Sequence, residues 1–115
     1  MSKYMLLLHD DPSGFTAMSP EEMQKVIEKY IAWDTGLRAS GVILDGHKLV
    51  DDAGRVMRRQ DGKLRTTDGP HSESKEVLGG YLVEADSYEP AIEHASTCPH
   101  LEYGGTIEVR EIQVL

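Results

Sequence analysis

Two segments of the chain are apolar on both faces and are predicted to be central strands of one sheet. In the first, Lys3 to His9, alternate residues form one apolar set of Tyr4, Leu6 and Leu8 and another of Met5 and Leu7. The second runs from Leu78 to Ala85 and contains Tyr81, Leu82 and Val83. A strand that is apolar on both faces needs a covering layer on each side.

A long amphipathic helix is predicted between these strands. Ser19 is placed as its N-cap, Pro20 occupies the first helical position, and Glu22 completes a capping box. Gly41 provides the stop signal. Apolar residues recur between these ends at helical spacing, namely Met23, Val26, Ile27, Tyr30, Ile31 and Leu37. Asp34 falls in the middle of that stripe, where an acid must be paired, protonated or hydrated.

The rest of the chain predicts four further strands and a short helix. A strand over residues 42–50 is broken near Gly46, and a hairpin joins 55–60 to 63–67 through a type I′ turn at Asp61-Gly62. A polar loop from Asp68 to Val77 follows this exposed hairpin. Ser87 is predicted to cap a helix that ends near Thr97, with Ala91, Ile92 and Ala95 facing inward. The last segment, Thr106 to Val114, alternates as an edge strand does.

This order of elements is βαββαβ with an inserted β-hairpin, which predicts a ferredoxin-like α+β fold in a single domain over residues 1–115. Two helices can cover only one face of its sheet. Because the central strands are apolar on both faces, we expect a second copy of the chain to cover the other one, as a homodimer through the sheet face.

Composition narrows the classes of partner. Lys and Arg number 12 against 20 Asp and Glu, a net charge of −8 that opposes binding to nucleic acid. The basic cluster formed by Arg55, Arg58, Arg59, Lys63 and Arg65 is short and interrupted by Asp61. Cys98 is the single cysteine, so no internal disulfide can form, and a cytoplasmic location is expected. The apolar run Met5 to Leu8 is too short for a membrane span, so no membrane association is expected.

Three residues are candidates for catalysis. Asp68 and His71 are separated by Gly69-Pro70, so their side chains could converge as an acid–base pair. The alternative is that Asp68 only accepts backbone hydrogen bonds and stabilises a turn. Asp34 is the third candidate, either as a base lining a pocket between helix and sheet or as a structural hydrogen-bonding group.

Four further residues are candidates for substrate binding. Tyr30 lies one turn before Asp34, Trp33 belongs to the same helix, His9 ends the first central strand, and Lys75 is a cation near Asp68. The alternative role of Tyr30 and Trp33 is packing. The alternative for His9 and Lys75 is a solvated position at the surface. The spacing of His94, Cys98 and His100 suits a metal, but no fourth ligand is evident and Cys98-Pro99 is also a helix stop, so neither metal nor cofactor is expected. Gly79-Gly80 predicts a close approach of two backbones.

The segment Thr67 to Tyr81, TDGPHSESKEVLGGY, resembles the DGPF branch of the YCII-related family. The resemblance extends to the opening Tyr4 to Leu7, to Leu37 to Val42, and to Cys98-Pro99 before the closing strand. It implies a dimeric α+β barrel in a small bacterial protein of mostly undefined role, in a branch that also occurs fused to sigma-type transcription factors. The chain departs from the family pattern at His71, where Phe is usual, and at Tyr30, where classical members carry a candidate catalytic His.

Two classes of function therefore stay open. The first is a small-molecule-binding enzyme that uses acid–base chemistry of lyase or isomerase type, in a pocket between the first helix, the sheet and the Asp68-Gly69-Pro70 loop. The second is a non-catalytic binding or regulatory module, linked to transcription through sigma-type factors. A pocket lined by Asp34, Tyr30 and the Asp68–His71 loop favours the enzyme, and one filled by side chains favours the module.

Overall fold

The computed structural model describes residues 1–10, 18–50, 52, 54–68 and 76–115, and these form two β-sheets and three helices. The main sheet contains β1 (Ser2–Asp10), β2 (Ile43–Lys48), β5 (Glu76–Ala85) and β6 (Thr106–Glu111), and the second contains β3 (Arg55–Gln60) and β4 (Lys63–Asp68). The helices are α1 (Pro20–Ala39), α2 (Tyr88–Ser96) and α3 (Pro99–Glu102).

The main sheet confirms the predicted ferredoxin-like α+β fold. Its strand order is β2-β5-β1-β6, and every neighbouring pair is antiparallel. The two segments that are apolar on both faces, β1 and β5, are the two central strands. A strand flanked on both edges and crossed by helices loses the most water contact, which is why the apolar runs occupy these positions.

One face of the sheet carries the core. The buried side chains of β1 are those of Tyr4, Leu6 and Leu8, and both long helices pack on that side, α2 through Ala91 and Ala95. Met5, Leu7 and Leu82 point to the opposite face and are half-buried. No described element covers that face. Among the described residues, no helix is both long and apolar enough to cross a membrane.

Helix α1 begins and ends as its sequence predicts. The Ser19 hydroxyl accepts a hydrogen bond from the Glu22 backbone N–H at 3.1 Å. At the other end Gly41 adopts a φ of +81°, and the N–H groups of Gly41 and Val42 donate to the carbonyls of Arg38 and Leu37. This is a Schellman motif, which satisfies the last carbonyls of the helix.

The β3–β4 hairpin is also confirmed. Asp61 and Gly62 have φ values of +52° and +75°, as the two central residues of a type I′ turn require. Among the side chains of its two strands, only that of Val56 is not exposed. The hairpin is therefore a surface arm with no core of its own.

Several predicted details are corrected. Asp68 is the last residue of β4 rather than the start of a loop, β5 begins at Glu76, and β6 ends at Glu111. Ser87 occupies the N-cap position of α2 but its side chain makes no capping hydrogen bond.

The two most exposed of the apolar helix residues that were predicted to face inward are Ile31 and Ile92. Ile92 is 51% exposed, because the small neighbours Ala91 and Ala95 direct the other side of α2 to the sheet. On α1, Ile31 is 59% exposed, because it borders an open cavity rather than a packed core.

Candidate functional site

A cavity of about 260 Å³ lies between the first half of α1 and the sheet. Its lining is mostly apolar and comes from α1, β1, β2, β5 and α3: Leu8, Met23, Val26, Ile27, Tyr30, Ile31, His47, Lys48, Leu78, Gly79, Gly80, Tyr81 and His100. The two glycines of β5 confirm the predicted close backbone approach. A Cβ atom on Gly79 would lie 2.5 Å from the carbonyl oxygen of His47, and one on Gly80 would lie 3.0 Å from that of Leu6.

Tyr30 and His100 form a hydrogen-bonded pair at this cavity. The Tyr30 hydroxyl lies 3.1 Å from Nδ1 of His100, and Nε2 of His100 lies 2.9 Å from the backbone carbonyl oxygen of His9. A carbonyl only accepts, so Nε2 carries a proton, and in the tautomer with its single proton on Nε2 the Nδ1 atom accepts from the Tyr30 hydroxyl. His100 is 2% exposed, and both of its nitrogens are satisfied.

The backbone closely surrounds the imidazole ring of His100. Pro99 begins the short helix α3, which brings His100 beneath the end of β1. Gly105 follows the helix and packs against the imidazole, since a Cβ atom there would lie 2.2 Å from Nε2. The ring is consequently held between the His9 carbonyl, the Tyr30 hydroxyl and the Gly105 backbone.

Burial keeps three acidic side chains, two at the cavity and one in the core, in their neutral forms. It raises the pKa of the Tyr30 hydroxyl well above its ordinary value and raises the pKa of Tyr81 to about 12. It also raises the pKa of the Cys98 thiol to about 11. These groups are proton donors at neutral pH, and none of them is an anionic nucleophile.

Asp34 borders a second cavity of about 240 Å³, which shares Tyr30, Ile31 and Tyr81 with the first. The Asp34 carboxylate accepts a hydrogen bond from the Arg38 guanidinium one helical turn later. The acid on the apolar stripe is therefore paired and lies at a cavity. Asp34 and Tyr30, predicted as pocket residues, lie side by side along α1.

Comparison with known proteins identifies the family. The family model of the YCII-related domain matches residues 2–115. The chain belongs to the YCII-related family. A relative in Rhizobium meliloti (strain 1021), an uncharacterised protein, is 30% identical over 112 residues, which cover 95% of this chain and 90% of that protein.

Three other predicted site residues of this YCII-related chain are not among those that line the two cavities. Trp33 packs edge-to-face on Tyr81, with 5.0 Å between ring centroids, and its indole N–H donates to the Thr97 hydroxyl. The His9 imidazole lies 3.0 Å from the Glu108 carboxylate, close enough for an ion pair when protonated. Asp68 pairs with Arg55 at 3.2 Å, and its side chain is 86% exposed. His71 and Lys75 lie outside the described residues.

Sequence reasoning missed the role of His100, which it weighed only as a metal ligand. The described residues do not assemble His94, Cys98 and His100 into a three-ligand group. The sequence Cys98-Pro99-His100 contains no pattern that indicates a tyrosine partner 70 positions earlier. The adjacent Gly104-Gly105 is the one local signal, because it indicates that something packs closely against that segment.

Proposed function

We propose that this YCII-related protein binds a small organic molecule in the cavity between α1 and the sheet and moves a proton on it. The observation that carries the proposal is the Tyr30–His100 pair, a hydrogen-bonded polar pair at a mostly apolar cavity. Binding sites for small molecules commonly combine an apolar lining with a few such polar groups. The reaction class is acid–base chemistry of isomerase or lyase type.

The hydrogen-bond directions support a relay in which His100 is the base and Tyr30 conducts the proton. A ligand C–H or O–H gives its proton to the Tyr30 oxygen while the Tyr30 hydroxyl proton passes to Nδ1 of His100. The ligand keeps the electron pair as an enolate or alkoxide, Tyr30 stays neutral, and His100 becomes an imidazolium. Both imidazolium N–H groups then have acceptors, Tyr30 and the His9 carbonyl.

Such a relay avoids a tyrosinate, which burial disfavours at Tyr30. Asp34, which pairs with Arg38, would bind a polar group of a ligand that extends into the second cavity. Asp68 lies on the exposed hairpin, and the predicted Asp68–His71 pair stays a separate hypothesis.

The first experiment is a thermal-shift screen of small carbonyl compounds and carboxylic acids. A ligand that binds the native state raises the free energy of unfolding by RT ln(1 + [L]/Kd), and so raises the melting temperature. We expect hits to stabilise wild type and the control Tyr103→Phe equally, and Tyr30→Phe much less. Tyr103→Phe is a suitable control because it also removes a tyrosine hydroxyl, and Tyr103 lies outside both cavities.

The second experiment measures the chemistry. Exchange of a bound hit's acidic proton for deuterium in D2O should be catalysed by wild type and reduced on the order of a hundredfold in Tyr30→Phe and His100→Gln. Binding without exchange would contradict the enzyme and favour the non-catalytic module. The exposed cationic hairpin is the feature that favours that second function.

We further propose a homodimer through the open sheet face, in a bacterial cytoplasm. Met5, Leu7 and Leu82 form an apolar centre there that no described element covers. A second copy packed on this face by two-fold symmetry would bury the same patch twice. The lone cysteine, which allows no internal disulfide, supports the cytoplasmic location.

A further inference from the structure

The β3–β4 hairpin separates two kinds of surface. Its pairing register places Arg58 directly opposite Arg65 and Gln60 opposite Lys63, and side chains that face each other across strands share one face. That face, defined here as the cationic face, therefore carries Arg58, Lys63 and Arg65. The other face carries Arg59, the apolar Met57 and Leu64, and the Arg55–Asp68 ion pair.

No described residue supplies a counter-charge to the cationic face. Two like charges directly opposite each other destabilise a hairpin. Arg58, Lys63 and Arg65 are exposed, and none forms an ion pair with a described residue, in contrast to Arg55. A hairpin that keeps an arginine pair against this repulsion gains from an anionic surface placed on it.

The remainder of the chain is strongly acidic. Residues 55–68 contain five cations and two acids and have a net charge of +3. Because the whole chain has a net charge of −8, the remaining residues have a net charge of −11. Charges are thus segregated between a basic arm and an acidic body. That body repels a polyanion such as nucleic acid, and it attracts the basic arm of another copy.

We propose that the cationic face of the hairpin docks on the acidic body of a second copy of this chain. The inference rests on the homodimer proposed above. It adds a charged contact at the periphery of the sheet-face interface. Two-fold symmetry makes each hairpin contact occur twice in a dimer, so the effect of one substitution on association is doubled.

Two neighbouring arginines provide a matched test. Arg58→Glu and Arg59→Glu change the net charge equally, but they lie on opposite faces of the hairpin. Arg58→Glu also places a carboxylate opposite Arg65, which favours the hairpin itself. We expect sedimentation equilibrium of the full chain at about 50 mM salt to show a dimer dissociation constant raised on the order of tenfold by Arg58→Glu and much less by Arg59→Glu.

Salt and a sheet-face variant separate the two proposals. At about 0.5 M salt the difference between the two arginine variants should largely disappear. Leu7→Asp should produce a monomer by placing a charge in the sheet face. If Leu7→Asp dissociates the dimer while Arg58→Glu and Arg59→Glu behave alike, the hairpin contact is wrong and the sheet-face dimer stands.

A monomeric wild type would overturn both proposals. Fluorescence anisotropy with a labelled DNA duplex tests the alternative, in which the cationic face binds nucleic acid. Binding to the duplex that Arg58→Glu abolishes and Arg59→Glu preserves would assign the cationic face to nucleic acid and overturn docking on a second copy.

Discussion

His100 is held by three different contacts, and one of them depends on an absent side chain. Its ring nitrogens engage Tyr30 and the His9 carbonyl, while Gly105 closes the remaining side. A buried imidazole with both nitrogens satisfied has one tautomer and one orientation. The direction in which the Tyr30 hydroxyl points follows from this.

We expect Gly105→Ala to displace His100 rather than merely to lower stability. The added methyl group would lie 2.2 Å from Nε2 of the ring, and its position is fixed by the Gly105 backbone. The imidazole must move away from the His9 carbonyl, which breaks the pair with Tyr30. NMR signals of the His100 ring should shift and proton exchange on a bound hit should fall. Gly36→Ala is the control, because no atom lies within 4 Å of its added methyl group.

Cys98 should be unreactive in the folded protein. The thiol is 3% exposed, and burial raises its pKa to about 11, so little thiolate exists at pH 8. A thiol reagent such as Ellman's reagent should label Cys98 only as fast as the protein opens, and at full speed in urea. Rapid labelling of the native chain would contradict the placement of Cys98 in the core.

At the scale of elements, the end of α1 depends on one backbone conformation. Gly41 has a φ of +81°, a region that costs other residues about 1 kcal/mol. We expect Gly41→Ala to lower the free energy of unfolding by about 1 kcal/mol in urea titrations. Gly36→Ala, in the helical interior with open space around it, should raise that free energy by about 0.5–1 kcal/mol. Equal effects of the two substitutions would contradict the Schellman motif.

At the scale of the whole molecule, burial of neutral acids predicts that stability falls in alkali. The pKa values of Tyr30, Tyr81 and Cys98 are raised by burial, so the unfolded chain loses these protons at lower pH than the folded one. The unfolded state then binds fewer protons, and the free energy of unfolding decreases with pH. This stabilising contribution is complete below about pH 8.5, the ordinary pKa of Cys, and is lost as the pH rises through the folded-state values.

Urea unfolding at pH 8, 9.5 and 10.5 measures this dependence. Tyr30→Phe and Cys98→Ala should each make the decline shallower, because each removes one group that titrates differently in the two states. Tyr103→Phe is the control, since it removes a tyrosine hydroxyl that lies outside both cavities. A stability that stays constant up to pH 10.5 would contradict the burial of all three side chains.

How far the sequence predicts the molecule depends on the range of the interactions. The strand core of Leu6 and Val83, the cap at Ser19 and the turn at Asp61-Gly62 all follow from local patterns, because alternation, capping and turn chemistry involve residues a few positions apart. Ile92 was predicted to face inward and does not, because the pattern cannot say which of two adjacent apolar residues meets the sheet. Asp34 was predicted to be anomalous, and it lies paired at a cavity.

The order of hydrophobic segments by itself determined the ferredoxin-like α+β fold, because this arrangement places the two strands that are apolar on both faces at the centre of the sheet. What the tertiary structure alone decided is the candidate site. Tyr30 and His100 are 70 residues apart, and they meet because α3 brings a histidine beneath the end of β1, where a backbone carbonyl and a glycine orient it. Such a contact has no local sequence pattern, since it depends on how three separate elements pack against one another.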